Sequence, residues 1–325
     1  MENATYFPSI KPEDKYSTIT VIFIFCYVML MIITVIGNTL ALMVFRRYNE
    51  LRTPVNFFLI SLAITDILKG GIQDGLTLCG LLKIRAFQRN RVLCNVCGFL
   101  LSAFYVGAIY TLTVTGVFRY LIVVNSMKHW ITRKVVIVAI VMIWFYACFI
   151  SFLPVLGWNR YIYAKSQLLC LLDVTLEISY PIVVIIMDIM IPILLLGYCY
   201  LKIYMVMKQN IRRRVSILNS KCRSGSCYSR FHKREIQMTR MMFSVYLAFV
   251  ICYIPYIVQL YVMTKPSTDN NTPNTIVLLT GFILNISSAI NPFLYGFTSE
   301  KFRRSYYRYL CCLFHNARNR VLPTS

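Results

Sequence analysis

Seven apolar runs divide the chain: residues 18–45, 55–82, 92–124, 135–156, 179–207, 237–263 and 275–298. Each exceeds the ~18 residues that an α-helix needs to cross the hydrocarbon of a bilayer. The third, from Cys94 to Val124, is almost wholly apolar, and its first charge is Arg119, near the end. At 1.5 Å per residue it is longer than the ~30 Å hydrocarbon core, so it should cross tilted. The pattern predicts an all-α membrane protein: a polar N-terminus (1–17), a seven-helix bundle (18–298), and a cytoplasmic tail (299–325) opening with a short amphipathic helix at 299–312. No cleavable signal is expected ahead of the first span, which would then serve as its own insertion signal.

Composition agrees, with 58% hydrophobic residues, and charge gives the orientation. A net charge of +22 raises nucleic acid as a partner, but its distribution excludes it. The loops after spans one, three and five and the tail hold 21 Lys and Arg; the N-terminus and the other loops hold nine. Such an excess marks the cytoplasmic side, so the N-terminus is expected outside, with the basic faces against anionic lipid. Asn3 and Asn270 then head glycosylation triplets on the outer side. Among twelve cysteines, Cys94 and Cys170 lie on outer segments, with Cys97 competing with Cys94. Cys311 and Cys312 follow the amphipathic stretch and read as palmitoylation sites.

Charges within spans carry the candidate chemistry. Asp66 and Lys69 share a helix face, and each costs roughly 2.5–3.5 kcal/mol at a helix centre. Either they neutralise each other inside the bundle, or one touches an ion or ligand. Asp188 has no partner on its own helix; it faces a cavity or bonds a neighbouring helix. The outer loop 83–91 is basic, as a solvated rim or as an attractor of anions. The loop 208–235 suits an intracellular partner or phosphorylation, and Glu235 stands where it can meet Arg119. Pro192, Pro255 and Pro292 each interrupt a helix and make hinges. His129, His232 and His315 are too scattered for a metal or catalytic cluster, which argues against an enzyme or transporter.

The ordered set of marks resembles a rhodopsin-type G-protein-coupled receptor over nearly the whole chain. They are Gly37-Asn38, LAITD ending at Asp66, Cys94, Arg119-Tyr120, Trp144, Pro192 with Tyr200, Tyr253-Ile254-Pro255, and Asn291-Pro292 with Tyr295. The resemblance implies a Cys94–Cys170 disulfide over an outward cavity and a polar core of Asn38, Asp66, Ser288 and Asn291. It also implies a transmission contact of Ile109, Pro192 and Phe249, and an agonist-driven swing of the sixth helix that admits a heterotrimeric G protein. The switch residues would be Phe118, Arg119, Tyr120, Tyr200, Glu235, Pro255, Asn291, Pro292 and Tyr295. Receptor kinase and arrestin follow as further partners.

Within the family the chain is most similar to opsins, through Arg52-Thr53-Pro54-Val55-Asn56, Gly157-Trp158-Asn159-Arg160-Tyr161, and the spacing from Tyr295 to Cys311-Cys312. Its departures limit what carries over. Asn285 stands where opsins hold the retinal-binding lysine, and an amide forms no Schiff base. Cys97 and Ala164 stand at the counterion positions. A covalent retinal cofactor is therefore not expected; the alternative is a photoreceptor that holds retinal non-covalently or through Lys69. Leu101 stands where amine receptors carry an aspartate, a role only Asp188 could take over. Phe118 replaces the acid that normally restrains the following arginine, so basal signalling should rise unless Glu235 pairs with Arg119. A non-signalling scaffold is the reading that this altered motif leaves open. The expected pocket is Leu101, Tyr105, Asp188, Tyr253, Tyr256, Asn285 and Lys69, holding an unidentified small molecule or peptide at the plasma membrane.

Overall fold

The computed structural model describes residues 17–83, 90–174, 176–218, 226–263 and 275–321; for 211–218, 226–235, 260–263 and 313–321 it describes the backbone alone. Asn3, Asn270 and the side chain of Glu235 lie outside the described residues. Six helices are long and apolar enough to cross a membrane: Thr18–Arg47, Arg91–Val123, Arg133–Phe152, Ser179–Asn210, Ile236–Gln259 and Thr275–Thr298. The second span also crosses, as α-helix Asn56–Lys69, π-helix Gly70–Asp74 and α-helix Gly75–Leu81. Of those six, the third and seventh spans are the most enclosed and the first the least. Large apolar side chains such as Phe25 and Phe145 point outward, the inverse of a water-soluble fold and the arrangement that lipid favours.

Helix ends and close approaches follow from particular residues. Ser17 caps the first span, its Oγ accepting from the Thr20 N–H, and Arg46 and Arg47 sit at its C-terminal end, where the helix dipole favours cations. Gly116 lets the third and fifth spans touch; a Cβ there would meet Leu196 Cδ1 at 2.0 Å. Trp144 of the fourth span donates to Ser61 Oγ of the second at 3.1 Å.

Each of two prolines exposes a carbonyl that another span then caps. Pro292 has no N–H for the Ser288 carbonyl, and Asn38 Nδ2 donates there at 3.1 Å. Gly37 makes this approach possible, since its Cβ would lie 3.2 Å from Pro292 Cγ. In the fifth span, the π-helical stretch Val184–Met190 ends just before Pro192. In that register the missing N–H would have met Met187 O, and Tyr110 Oη donates to it instead at 3.0 Å.

Two features depart from the sequence reading. The tail helix runs from Glu300 to Val321, 22 residues where a short one at 299–312 was expected. It is anchored at its start: Phe302 is fully buried, its ring 5.0 Å from Phe45 and 5.6 Å from Tyr295. Cys311 and Cys312 are exposed on it. The second feature is a hairpin in the outer loop, β1 (Tyr161–Ala164) against β2 (Leu169–Leu172), antiparallel with Tyr161 opposite Leu172. The Cys94–Cys170 disulfide ties β2 to the third span, with the Cα atoms 5.3 Å apart. Tyr161 packs onto Gly98 and donates to Ser151 O at 2.8 Å. Burial pushes its phenol up to about 12, so it stays a donor at physiological pH. Arg160 closes the hairpin base on Asp173 at 2.9 Å.

Candidate functional site

Beneath the hairpin lies a small cleft with free space of about 20 Å³. Gln167, Leu169 and Leu171 roof it; Tyr27, Gln73, Tyr105 and Tyr256 supply its polar wall. Aliphatic walls with a few converging polar groups are the usual character of a small-molecule site.

The polar wall is backed by a network across three spans. Asn285 Nδ2 donates to Asp74 Oδ1 at 2.9 Å. Tyr105 Oη lies 3.1 Å from Asn285 Oδ1 and 2.8 Å from Gln73 Oε1. One phenol proton serves one acceptor at a time, and the shorter contact is the one to Gln73 Oε1. Gln73, Tyr105, Asn285 and Asp74 thus form one connected polar set. Lys69 Nζ sits 4.5 Å from the centre of the Tyr105 ring, a cation–π distance. Asp66 lies deeper and accepts from Asn291 Nδ2 at 2.8 Å. Asp66, Lys69 and Asp74 are all buried.

The π-helical stretch explains how Asp74 joins this set. An α-helix places residues five apart on different faces, whereas a π-turn brings them nearly into line. Gly70 and Gly71 open the stretch, and Gly70 packs on Thr34 of the first span, where a Cβ would meet Cγ2 at 2.8 Å.

The expected ligand residues separate into groups. Tyr105 and Tyr256 line the cleft. Lys69 and Asn285 stand behind Tyr105, and Tyr253 packs against it with ring centres 6.2 Å apart. Leu101 is buried in the third span and is not among the lining residues. Asp188 requires correction. Its Oδ1 accepts from Tyr146 Oη of the fourth span at 2.7 Å, which turns it away from the cleft. Its Oδ2 is buried with no hydrogen-bond partner among the described residues. Asp74 and Gln73 went unnoticed in the sequence. Asp74 is the third charge of its span, just after a Gly-Gly pair, and that was the available signal. The opsin counterion positions are a buried thiol, Cys97, and Ala164 of β1.

At the end of the bundle away from the hairpin, Phe118 packs edge-on against Phe58 at 5.3 Å, in a cluster with Val55, Ile131 and Val136. Arg119 is buried, and its charge reaches Tyr200, whose ring stacks on Tyr246 at 5.7 Å. Tyr120 lies near Tyr198 of the fifth span. Ile109, Phe249 and Tyr253 share the main core cluster, with Phe249 and Tyr253 4.2 Å apart between ring centres; Pro192 is buried beside the π-helical stretch. Pro255 lies within the sixth helix, and Tyr295 is fully buried.

A seven-span bundle with a disulfide-pinned outer hairpin, a polar core and prolines in its later spans defines a receptor architecture. The family model for seven-transmembrane receptors of the rhodopsin family matches residues 37–295, and the chain belongs to that family, one of receptors and not of enzymes. Among its relatives, melanopsin-B of Xenopus laevis is 27% identical over 86% of this chain and 53% of its own length. A Gq-coupled rhodopsin of Mizuhopecten yessoensis is 24% identical over 95% of this chain and 62% of its own. The chain therefore spans less than two thirds of either. The melatonin receptor type 1A of Phodopus sungorus is 25% identical over 94% of this chain and 83% of its own. Squid rhodopsin shares the fold, with a TM-score of 0.79 at 19% identity, covering 95% of this chain and 92% of that one.

Proposed function

We propose that the chain is an opsin-related receptor of the plasma membrane, N-terminus outside, that holds a non-covalent ligand in the cleft beneath the hairpin. Binding opens the sixth helix and activates a heterotrimeric G protein; receptor kinase and arrestin then act on the same inner face. The state of Asn285 carries this reading. At the position where opsins present an amine, this chain has an amide engaged on both sides, by Asp74 and by Tyr105. The relatives support a receptor of either kind, since they include opsins and melatonin receptors.

A second reading, a retinal photoreceptor, draws on Lys69. It is an amine beside the cleft with no carboxylate within 4.0 Å of its Nζ among the described residues. The purified receptor is to be incubated with retinal, its visible spectrum recorded, and any imine fixed with borohydride. We expect no covalently fixed band. A band that is fixed in the wild type and lost in Lys69→Ala would replace the non-covalent reading with the photoreceptor one.

Phe118, packed on Phe58, stands beside Arg119 at the position where the family usually has an acid. Basal nucleotide exchange on a G protein should therefore fall in Phe118→Asp relative to wild type. Equal rates would remove Phe118 from the control of signalling.

A further inference from the structure

We propose that the cleft is built for a ligand carrying an ammonium group, with Asp74 as the charge that receives it. This rests on the non-covalent reading above and names the chemistry of its ligand. The network holds two carboxylates, Asp66 and Asp74, against one ammonium, Lys69, all buried. In a low-dielectric interior that imbalance favours taking up one more positive charge, as a proton or as a ligand's ammonium. The two acids are placed differently. Asp66 is bonded to Asn291, deeper in the bundle. Asp74 is the outer one, next in sequence to the lining residue Gln73, and its charge reaches both Tyr27 and Tyr105 of the cleft wall.

The wall presents the groups that bind an organic cation. Gln73 Oε1 accepts from Tyr105 and keeps a second lone pair for an N–H of the ligand. Tyr27, Tyr105 and Tyr256 line the same space, and tyrosine is among the residues whose rings attract cations. Asp74 stands behind the wall, tied to it through Asn285 and Tyr105, and draws the ligand's charge through the field rather than by direct contact. Lys69 lies on the Tyr105 ring and sets the opposing sign, so its removal should sharpen the preference for cations.

The charge of the cleft can be read without knowing the ligand. A reporter thiol at Gly281→Cys lines the cleft, and its Cβ would meet only Tyr27 Oη, at 3.6 Å. Its labelling rates with the cationic trimethylammonium-ethyl and anionic sulfonato-ethyl methanethiosulfonates are taken over those of a simple thiol in solution. Labelling of the parent receptor is subtracted. We expect the cationic reagent to be favoured at least tenfold, the preference to fall several-fold in Asp74→Asn, to persist in Asp74→Glu and to rise in Lys69→Met. A ratio near that of the simple thiol, a preference for the anion, or a ratio indifferent to Asp74→Asn would overturn the proposal. If Asp74→Asn does not fold, the sign of the wild-type ratio and its rise in Lys69→Met still decide it. Borohydride fixation of retinal tests the non-covalent reading separately, because the labelling ratio reports charge whichever ligand is bound.

Discussion

Two buried aspartates, Asp74 and Asp188, both sit on π-helical stretches of membrane spans, and their surroundings differ. The stretch at Gly70–Asp74 turns its acid inward, where Asn285, Tyr105 and Gln73 connect it to the cleft. The stretch at Val184–Met190 turns its acid toward the fourth span, where Tyr146 holds one oxygen and the other has no partner among the described residues. The same residue in the same helical irregularity thus becomes part of a connected network in one place and a side-chain tether in the other. What separates them is what the neighbouring spans offer. The seventh span offers an amide and the third a phenol to Asp74, whereas Asp188 meets the rim tyrosines Tyr110 and Tyr146, whose ring centres are 4.8 Å apart.

The contrast can be broken most directly by removing each acid. Asp74→Leu leaves Asn285 without its charged acceptor and should cost about 2–3 kcal/mol, whereas Asp188→Leu removes a half-satisfied group and should cost about 1 kcal/mol or less. Both are read as shifts in thermal unfolding of the detergent-purified receptor; equal shifts would erase the distinction. Gly70→Ala should cost about 1–2 kcal/mol, because its new Cβ meets Thr34 of a packed neighbouring span. Tyr105→Phe deletes the link between Gln73 and Asn285 and should cost about 1 kcal/mol, with a matching loss of the cation preference in the labelling assay. Gly71→Ala is the smallest change. Nothing lies within 4 Å of its Cβ, so it should be neutral or stabilise by up to about 0.5–1 kcal/mol. A marked destabilisation there would mean that the π-helical stretch itself needs the second glycine.

The spans were legible because an apolar run of helix-crossing length has few other uses in a membrane protein. The Cys94–Cys170 bond was legible too, once the family resemblance was on hand. The role of Asp74 was not. A reading with a fixed 3.6-residue period places a residue on one face and keeps it there, and a single π-turn shifts every later residue to another face. For the same reason Asp188 remained undecided between cavity and neighbour. The β1–β2 hairpin escaped notice because the run 161–172 mixes apolar and polar residues without clean alternation, and its register depends on the disulfide and on Gly98 beneath Tyr161. The inner face was half legible. That Phe118 departs from the family is visible in the sequence; that it leans on Phe58 is a matter of tertiary packing.

The sixth helix is 38 residues long, from Ser226 to Met263, with Pro255 near its outer end. Counted from that proline to Ser226, the rigid arm is ~44 Å at 1.5 Å per residue. A tilt of about ten degrees about Pro255 would then carry the far tip through roughly 8 Å, by the geometry of an arm that long. The longer the helix continues past the membrane, the smaller the rotation needed at the ligand's level to change what a partner on the inner side meets. Shortening this arm while keeping its sequence near the bilayer would make the receptor a poorer amplifier of motion, although every contact in the cleft stayed as it is.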